Sequence, residues 1–211
     1  LGKIPEEWKV SRLRNCASIL SSNVDKKSSA GEIPVKLCNY VDVYYNDKIT
    51  NNLNFMAATA TKNEIDKFKL RPEDILLTKD SESANDIGMP ALVTNEIEDV
   101  VCGYHLAVIR PEKEAYYGHY LFYAIKSKAS ASQFEIAANG VTRFGLSYNA
   151  LKNLVIALPP YDEQKEIAKF LEQKTVEIDN TKNKVEEIVK YLREYRNALI
   201  TAAVTGKIKV L

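Results

Sequence analysis

Residues 154–171 read LVIALPPYDEQKEIAKFL, and the division of the chain turns on them. The run before Pro159 is apolar and β-branched, the pattern of a strand. Leu158 precedes a proline, which pushes it to an extended backbone. Pro160 suits a first helical turn, where its missing N–H is no loss, and Asp162 and Glu163 put negative charge at a helix N-terminus. From Asp162 to about Thr205 there is no proline and no glycine. Gly206 then supplies a C-cap, with Lys207 and Lys209 beyond it.

Stepping four and three residues from Ile167 meets Ile167, Leu171, Lys174, Ile178, Thr181, Val185, Ile188, Leu192, Tyr195, Leu199 and Ala202. Nine of these eleven are apolar, and Ile178, Val185, Leu192 and Leu199 repeat strictly at seven. That spacing predicts a coiled-coil seam. At about 1.5 Å per residue the helix is a rod of roughly 65 Å, longer than a small domain is wide, so its seam calls for a partner helix. The alternative is a long helix packed on its own domain.

Upstream the pattern is mixed. Short apolar or alternating runs predict strands over 33–45, 74–79, 90–94, 100–111 and 154–159. Helical pieces are expected at 62–68, 116–134 and near 148–153. The fold class is therefore α+β: a mixed twisted β-sheet domain over 1–158, followed by one long coiled-coil α-helix over 159–211.

The bulk composition narrows the function classes. No run of about 18 apolar residues exists to span a membrane. The opening LGKIPEEWKV has neither a basic nor an apolar leader region, so no signal peptide is expected. It also lacks an initiator Met, consistent with a fragment. Cys16, Cys38 and Cys102 are odd in number and widely spaced, which argues against a disulfide framework or structural zinc and for a cytoplasmic home. Of the 29 Lys/Arg and 28 Asp/Glu, ten and nine fall in 161–211, leaving nineteen of each before them. Net charge thus gives no support for nucleic-acid binding.

Catalytic chemistry finds little footing. Leu158-Pro-Pro-Tyr161 is similar to the Asn-Pro-Pro-Tyr loop of amino-group DNA methylases, but leucine cannot accept a hydrogen bond from an amino group. No Gly-x-Gly loop for S-adenosylmethionine and no Walker-type phosphate loop is present. Glu163-x-Lys165 has a nuclease-like form without the matching upstream carboxylate, and reads as a solvated helix turn. His105 falls in an apparent strand, and His119 at the start of an amphipathic helix; neither has an evident nucleophile.

Two polar loops remain. TKDSESANDIGMP (78–90) offers Lys79, Ser81, Ser83 and Asn85, and ANGVTRFG (138–145) offers Asn139, Thr142, Arg143 and Phe144. Tyr104 is grouped with them. Such side chains suit base edges and phosphates, Arg and Asn above all through paired hydrogen bonds. Taken alone they carry little weight and read more readily as ordinary solvent loops.

Four stretches together resemble one family, the specificity (S) subunits of Type I restriction-modification systems. GKIPEEWKVSRLRN (2–15) resembles the opening of each half-subunit repeat. EDILLTKD (73–80) with Ile87-Gly88 resembles its strand and loop, although the Ser-Glu-Ser-Ala-Asn insert departs from the usual short turn. NGVTRFGLSYNALKNLVIALPPYDEQKEIAKFL (139–171) resembles the junction of target-recognition domain and conserved region, and LREYRNALITAAVTGKI (192–208) its C-terminal helix end.

The resemblance implies a non-catalytic subunit. Residues 1–158 would form a target-recognition domain reading one half of a bipartite site on double-stranded DNA. Residues 159–211 would form the conserved spacer helix, on which methylation (M) subunits dock, with the restriction (R) subunit joining via the complex. S-adenosylmethionine, ATP and Mg would be bound by those partners, with no cofactor or metal in this chain. One repeat would pair either with a second copy, as an antiparallel homodimer through Ile167, Leu171, Ile178, Val185, Ile188, Leu192, Tyr195 and Leu199, or with a second repeat of a longer protein. The competing classes are a coiled-coil adaptor without DNA function and a decoy that pairs with a full specificity subunit.

Overall fold

The computed structural model describes residues 2–112 and 115–209; Leu1, Lys113, Glu114, Val210 and Leu211 of the two expected domains lie outside them. The chain runs β1 (Lys9–Arg12), β2 (Ala17–Ser21), β3 (Ile33–Cys38), α1 (Tyr40–Tyr44), β4 (Lys48–Ile49), β5 (Met56–Ala60), α2 (Lys62–Phe68), β6 (Ile75–Thr78), β7 (Asp80–Ser81), β8 (Pro90–Val93), β9 (Val100–Cys102) and β10 (Leu106–Pro111). It continues with α3 (Gly118–Lys126), α4 (Lys128–Ala137), β11 (Asn139–Gly140), β12 (Phe144–Gly145), α5 (Tyr148–Asn153), β13 (Val155–Leu158) and α6 (Tyr161–Val204). The fold is mixed α+β with a long C-terminal helix, as the residue pattern predicts.

Among the described residues the strands form four sheets. The central one has the order β2-β10-β6-β8-β4, and β5-β3-β9, β11-β12-β7 and β1-β13 complete the set. The central sheet is buried on both faces, and period-two alternation shows how. Ile75, Leu77, Ala107 and Ile109 enter one core with Leu121, Phe122 and Phe134. Leu76, Leu106 and Val108 enter the other, with Val35, Leu37, Phe68 and Val101. A strand covered on both sides reads as a continuous apolar run, which is why ILLT is legible without alternation.

Three expected elements divide differently. The strand expected over 33–45 stops at Cys38, and α1 follows. Asn39 N–H donates to the Asp42 carboxylate at 2.7 Å, and Val43 N–H to the Asn39 carbonyl, so a cap ends the ladder where β-branched residues alone suggest extension. The strand expected over 100–111 is β9 and β10, which join different sheets across the turn at Tyr104 and His105. The helix expected over 116–134 is α3 and α4, split at Ser127. Its backbone is extended (φ −62°, ψ 152°), and its hydroxyl donates to the Ala124 carbonyl and accepts from Ser130 N–H. A serine bonding its own backbone competes with a helix in this way. Helices α2 and α5 cover the expected 62–68 and 148–153.

Contacts group the chain into two units, one up to Ala168 and one from Lys169. The first unit includes the first two turns of α6, held by buried and half-buried polar bonds. Gln164 donates to the Pro159 carbonyl at 3.0 Å and accepts from Tyr117 N–H at 2.9 Å, and the Trp8 indole donates to Glu163. Ile167, expected on the seam, instead packs against the first core, because the helix is still within the sheet domain there. In the second unit α6 ends at Val204 and is capped, as expected, by Gly206. That residue takes φ +74°, its N–H bonds the Ala203 carbonyl, and Lys207 N–H bonds that of Ala202. Ile178 is 64% exposed and Leu192 61%, and Val185, Ile188, Tyr195 and Leu199 are exposed with them. Leu171 is half-buried. Among the described residues no helix is long and apolar enough to cross a membrane.

Candidate nucleic-acid interface

Three segments far apart in sequence meet beside the central sheet. Strand β7 leaves β6 after Lys79 and pairs with β12, placing Ser81 opposite Phe144 and Asp80 opposite Gly145. Lys79 joins them through its backbone: its N–H donates to the His105 carbonyl at 3.0 Å, and its carbonyl accepts from Leu146 N–H at 2.7 Å. The 78–90 loop, the Tyr104–His105 turn and the 138–145 hairpin thus form one patch.

At its centre is a carboxylate that sequence reasoning passed over. Asp80 Oδ1 accepts from Arg143 Nη2 at 2.5 Å, and Asp80 Oδ2 lies 2.6 Å from His105 Nδ1. The bond to Asp80 raises the Arg143 guanidinium pKa above its ordinary value. His105 is therefore bonded in a turn rather than carried in a strand. Arg143 is 58% exposed, against 21% for Asp80, so the carboxylate is the inner member of the pair. The Tyr104 and His105 rings lie with centroids 3.6 Å apart, and Tyr104 is exposed.

Helix α1 flanks the patch. Tyr40 stacks on Tyr44 at 5.4 Å, and Tyr44 meets Tyr45 edge-on at 4.9 Å. The Tyr44 hydroxyl donates to Asp86 at 2.5 Å, a bond that is the chief reason its phenol is pushed up to about 12. Burial raises the Tyr40 phenol, against a lowering hydrogen bond with Ser81. Asp80, His105 and these tyrosines have no linear signal: His105 and Arg143 lie 25 and 63 residues from Asp80. The β7–β12 pairing brings Arg143 to Asp80, and the β6–β10 pairing, with Leu106 opposite Thr78, brings His105.

The expected residues take different positions within the patch. Arg143 and Thr142 are exposed near the hairpin tip, beside Val141 at 90% exposure. Asn139 is exposed, its amide donating to the Ala137 carbonyl at 2.8 Å. Ser83 and Asn85 are exposed and bond each other at 2.6 Å. Others point inward. Lys79 donates to Ser21 Oγ at 2.7 Å and to the Ser22 carbonyl, and burial lowers its ammonium pKa. Ser81 is buried, and Phe144 packs against the first core, so these three support the patch more than they line it.

Gly140 permits the hairpin. Its φ is +151°, and a Cβ there would sit 1.9 Å from the Arg143 carbonyl oxygen. Such a backbone is essentially restricted to glycine. Gly140→Ala is expected to splay the hairpin and release Arg143 while leaving both cores intact. Amide exchange at position 140 and at Phe144 should accelerate at least ten-fold with melting shifted by only a few degrees; unchanged protection would contradict this account.

Chemically, the patch offers donors, acceptors and aromatic faces with compensating charges. Among the described residues no group of three His, Cys, Asp or Glu is placed to hold a metal ion.

Comparison with known proteins places the chain. The family model described as the Type I restriction modification DNA specificity domain matches residues 5–190. The putative type I restriction enzyme MjaX specificity subunit of Methanocaldococcus jannaschii is 28% identical, the match covering 81% of this chain and 40% of that protein. The type I restriction enzyme EcoKI specificity subunit of Escherichia coli is 27% identical, over 98% of this chain and 44% of that one. The chain thus spans less than half the length of these relatives. In fold it is similar to a chain from a structural study of assembly and conformational transition of the type I R-M system, with TM-score 0.70, 17% identity, and coverage of 96% of this chain and 47% of that one. The HsdS subunit from Thermoanaerobacter tengcongensis gives TM-score 0.59 and 18% identity, covering 86% and 40%.

Proposed function

The chain belongs to the Type I restriction modification DNA specificity domain family, and from that premise we propose that it reads one half of a bipartite DNA site for a methylation and restriction complex. The first unit would choose the sequence. The exposed stripe of the second would pair with a like helix, from a second copy of the chain or a second repeat. Methylation subunits would bind S-adenosylmethionine and dock on the helices, and the restriction subunit would bring ATP and Mg chemistry, all in the cytoplasm.

The convergence of three loops on Asp80, with Arg143, Asn139, Thr142 and Tyr104 exposed around it, is what carries this proposal. The near-neutral charge of the chain fits a reader that depends on partners. Most sequence-independent affinity comes from phosphate neutralisation, and this chain offers little net charge for it. Co-purification with a methylation subunit followed by gel shifts tests the proposal. The chain alone should bind random duplexes weakly, and the complex should bind a subset of sequences at least a hundred-fold more tightly. A complex that binds all duplexes equally would remove DNA reading from this chain.

A further inference from the structure

We infer that Asp80 is a positioning residue, which holds Arg143 and His105 on its two oxygens so that they face base edges rather than the phosphate backbone. The inference rests on the DNA-reading function proposed above and deepens it.

The geometry motivates it in three ways. First, one carboxylate engages two nitrogen-bearing side chains from two other segments, Arg143 on Oδ1 and His105 on Oδ2. Each oxygen holds one group, so both side chains are fixed in direction by the same short strand. Second, the Arg143 contact uses Nη2, and a guanidinium carries five N–H donors in a rigid fork. The remaining donors of this largely exposed side chain stay available for a second planar acceptor pair, such as the O6 and N7 atoms of guanine. With the hydrogen on Nδ1, His105 donates to Asp80, and Nε2 is left as an acceptor suited to an exocyclic amino group. Third, the Asp80–Arg143 pair is electrically compensated. A free exposed guanidinium is drawn to the nearest phosphate whatever the sequence, whereas a paired one gains less from a phosphate and keeps its directional hydrogen bonds.

Asp80→Asn is therefore expected to loosen discrimination and strengthen indiscriminate binding at once. The test uses the chain in complex with its methylation subunit, with a duplex pool randomised across the half-site as probe. In the variant the selected preference should flatten about ten-fold at the base read by Arg143. The slope of log K against log salt should steepen by about 0.9, the value of one added phosphate contact. Both changes should be absent from Asp80→Asn relative to its own background when Arg143 is already alanine, a result that a general structural defect would not produce. If wild type selects a sequence and Asp80→Asn selects it equally with an unchanged slope, the positioning role is overturned. If wild type selects no sequence, the DNA-reading function falls, and this inference with it. Should Asp80→Asn fail to fold, Arg143→Lys decides. Lysine keeps the charge but cannot fork between Asp80 and a base, so preference should flatten with affinity kept; retained preference would overturn the inference.

Discussion

Replacing Asp74 by alanine is expected to destabilise the first unit by about 3–5 kcal/mol, the cost of leaving a buried charge unpaired. Asp74 lies just before β6 with its side chain 1% exposed. It accepts from Arg110 Nε and Nη2, both at 2.7 Å, and from Arg71 N–H at 2.9 Å. Arg110 Nη2 also donates to the Lys69 carbonyl at 3.0 Å. The pair thus ties the start of β6 to the end of β10 and to the segment after α2. A forked guanidinium on a carboxylate with extra backbone donors is the strong form of such a bond. Removing the carboxylate alone leaves Arg110 and Arg71 N–H without it. Removing both partners, as Asp74→Ala with Arg110→Met, should cost less than Asp74→Ala alone, because no charge is then stranded. Urea unfolding followed by far-ultraviolet dichroism measures both, and a loss below about 1 kcal/mol in Asp74→Ala would contradict the account.

The second large effect concerns the helix pairing proposed for α6. Alanine at both Val185 and Leu192 is expected to weaken association at least a hundred-fold. Truncating a packed leucine costs about 2–5 kcal/mol, and 1.4 kcal/mol is ten-fold in affinity. Alanine at Lys184 or Lys190, exposed but off the heptad row, should leave association within about three-fold. Sedimentation equilibrium distinguishes the variants. A wild-type chain that stays monomeric at tens of micromolar would exclude self-pairing and leave a second repeat as the partner.

Legibility in the sequence followed the range of the interactions. Helix α6 was plain because its heptad, its prolines and its glycine cap are local features. Helix α2 was plain because Thr61 and Glu64 bond each other's backbone N–H groups across one turn. The split at Ser127 and the start of α1 at Asn39 were hidden, since one or two side-chain bonds to the backbone outweighed the propensity of the neighbouring residues. The short pairs β7, β11 and β12 were also hidden: two-residue strands carry no periodicity, and their pairing is set by tertiary structure. The candidate patch shared both fates. Its loops stood out by composition, while its central carboxylate and the inward turn of Lys79 depended on contacts between segments.

Strand β1 pairs antiparallel with β13, Lys9 opposite Leu158 and Arg12 opposite Val155, and Leu13 N–H donates to the Leu154 carbonyl at 2.8 Å. Entry to and exit from everything between these strands therefore lie side by side. In evolutionary terms this is a cassette. A segment exchanged for residues 16–153 would need the same spacing between its ends and the same few contacts to the clasp, such as Tyr117 N–H to Gln164 and the Tyr120 hydroxyl to the Ala157 carbonyl. Recombination at two short, fixed strands would then replace the surface loops in one event, provided those contacts to the first turns of α6 are kept.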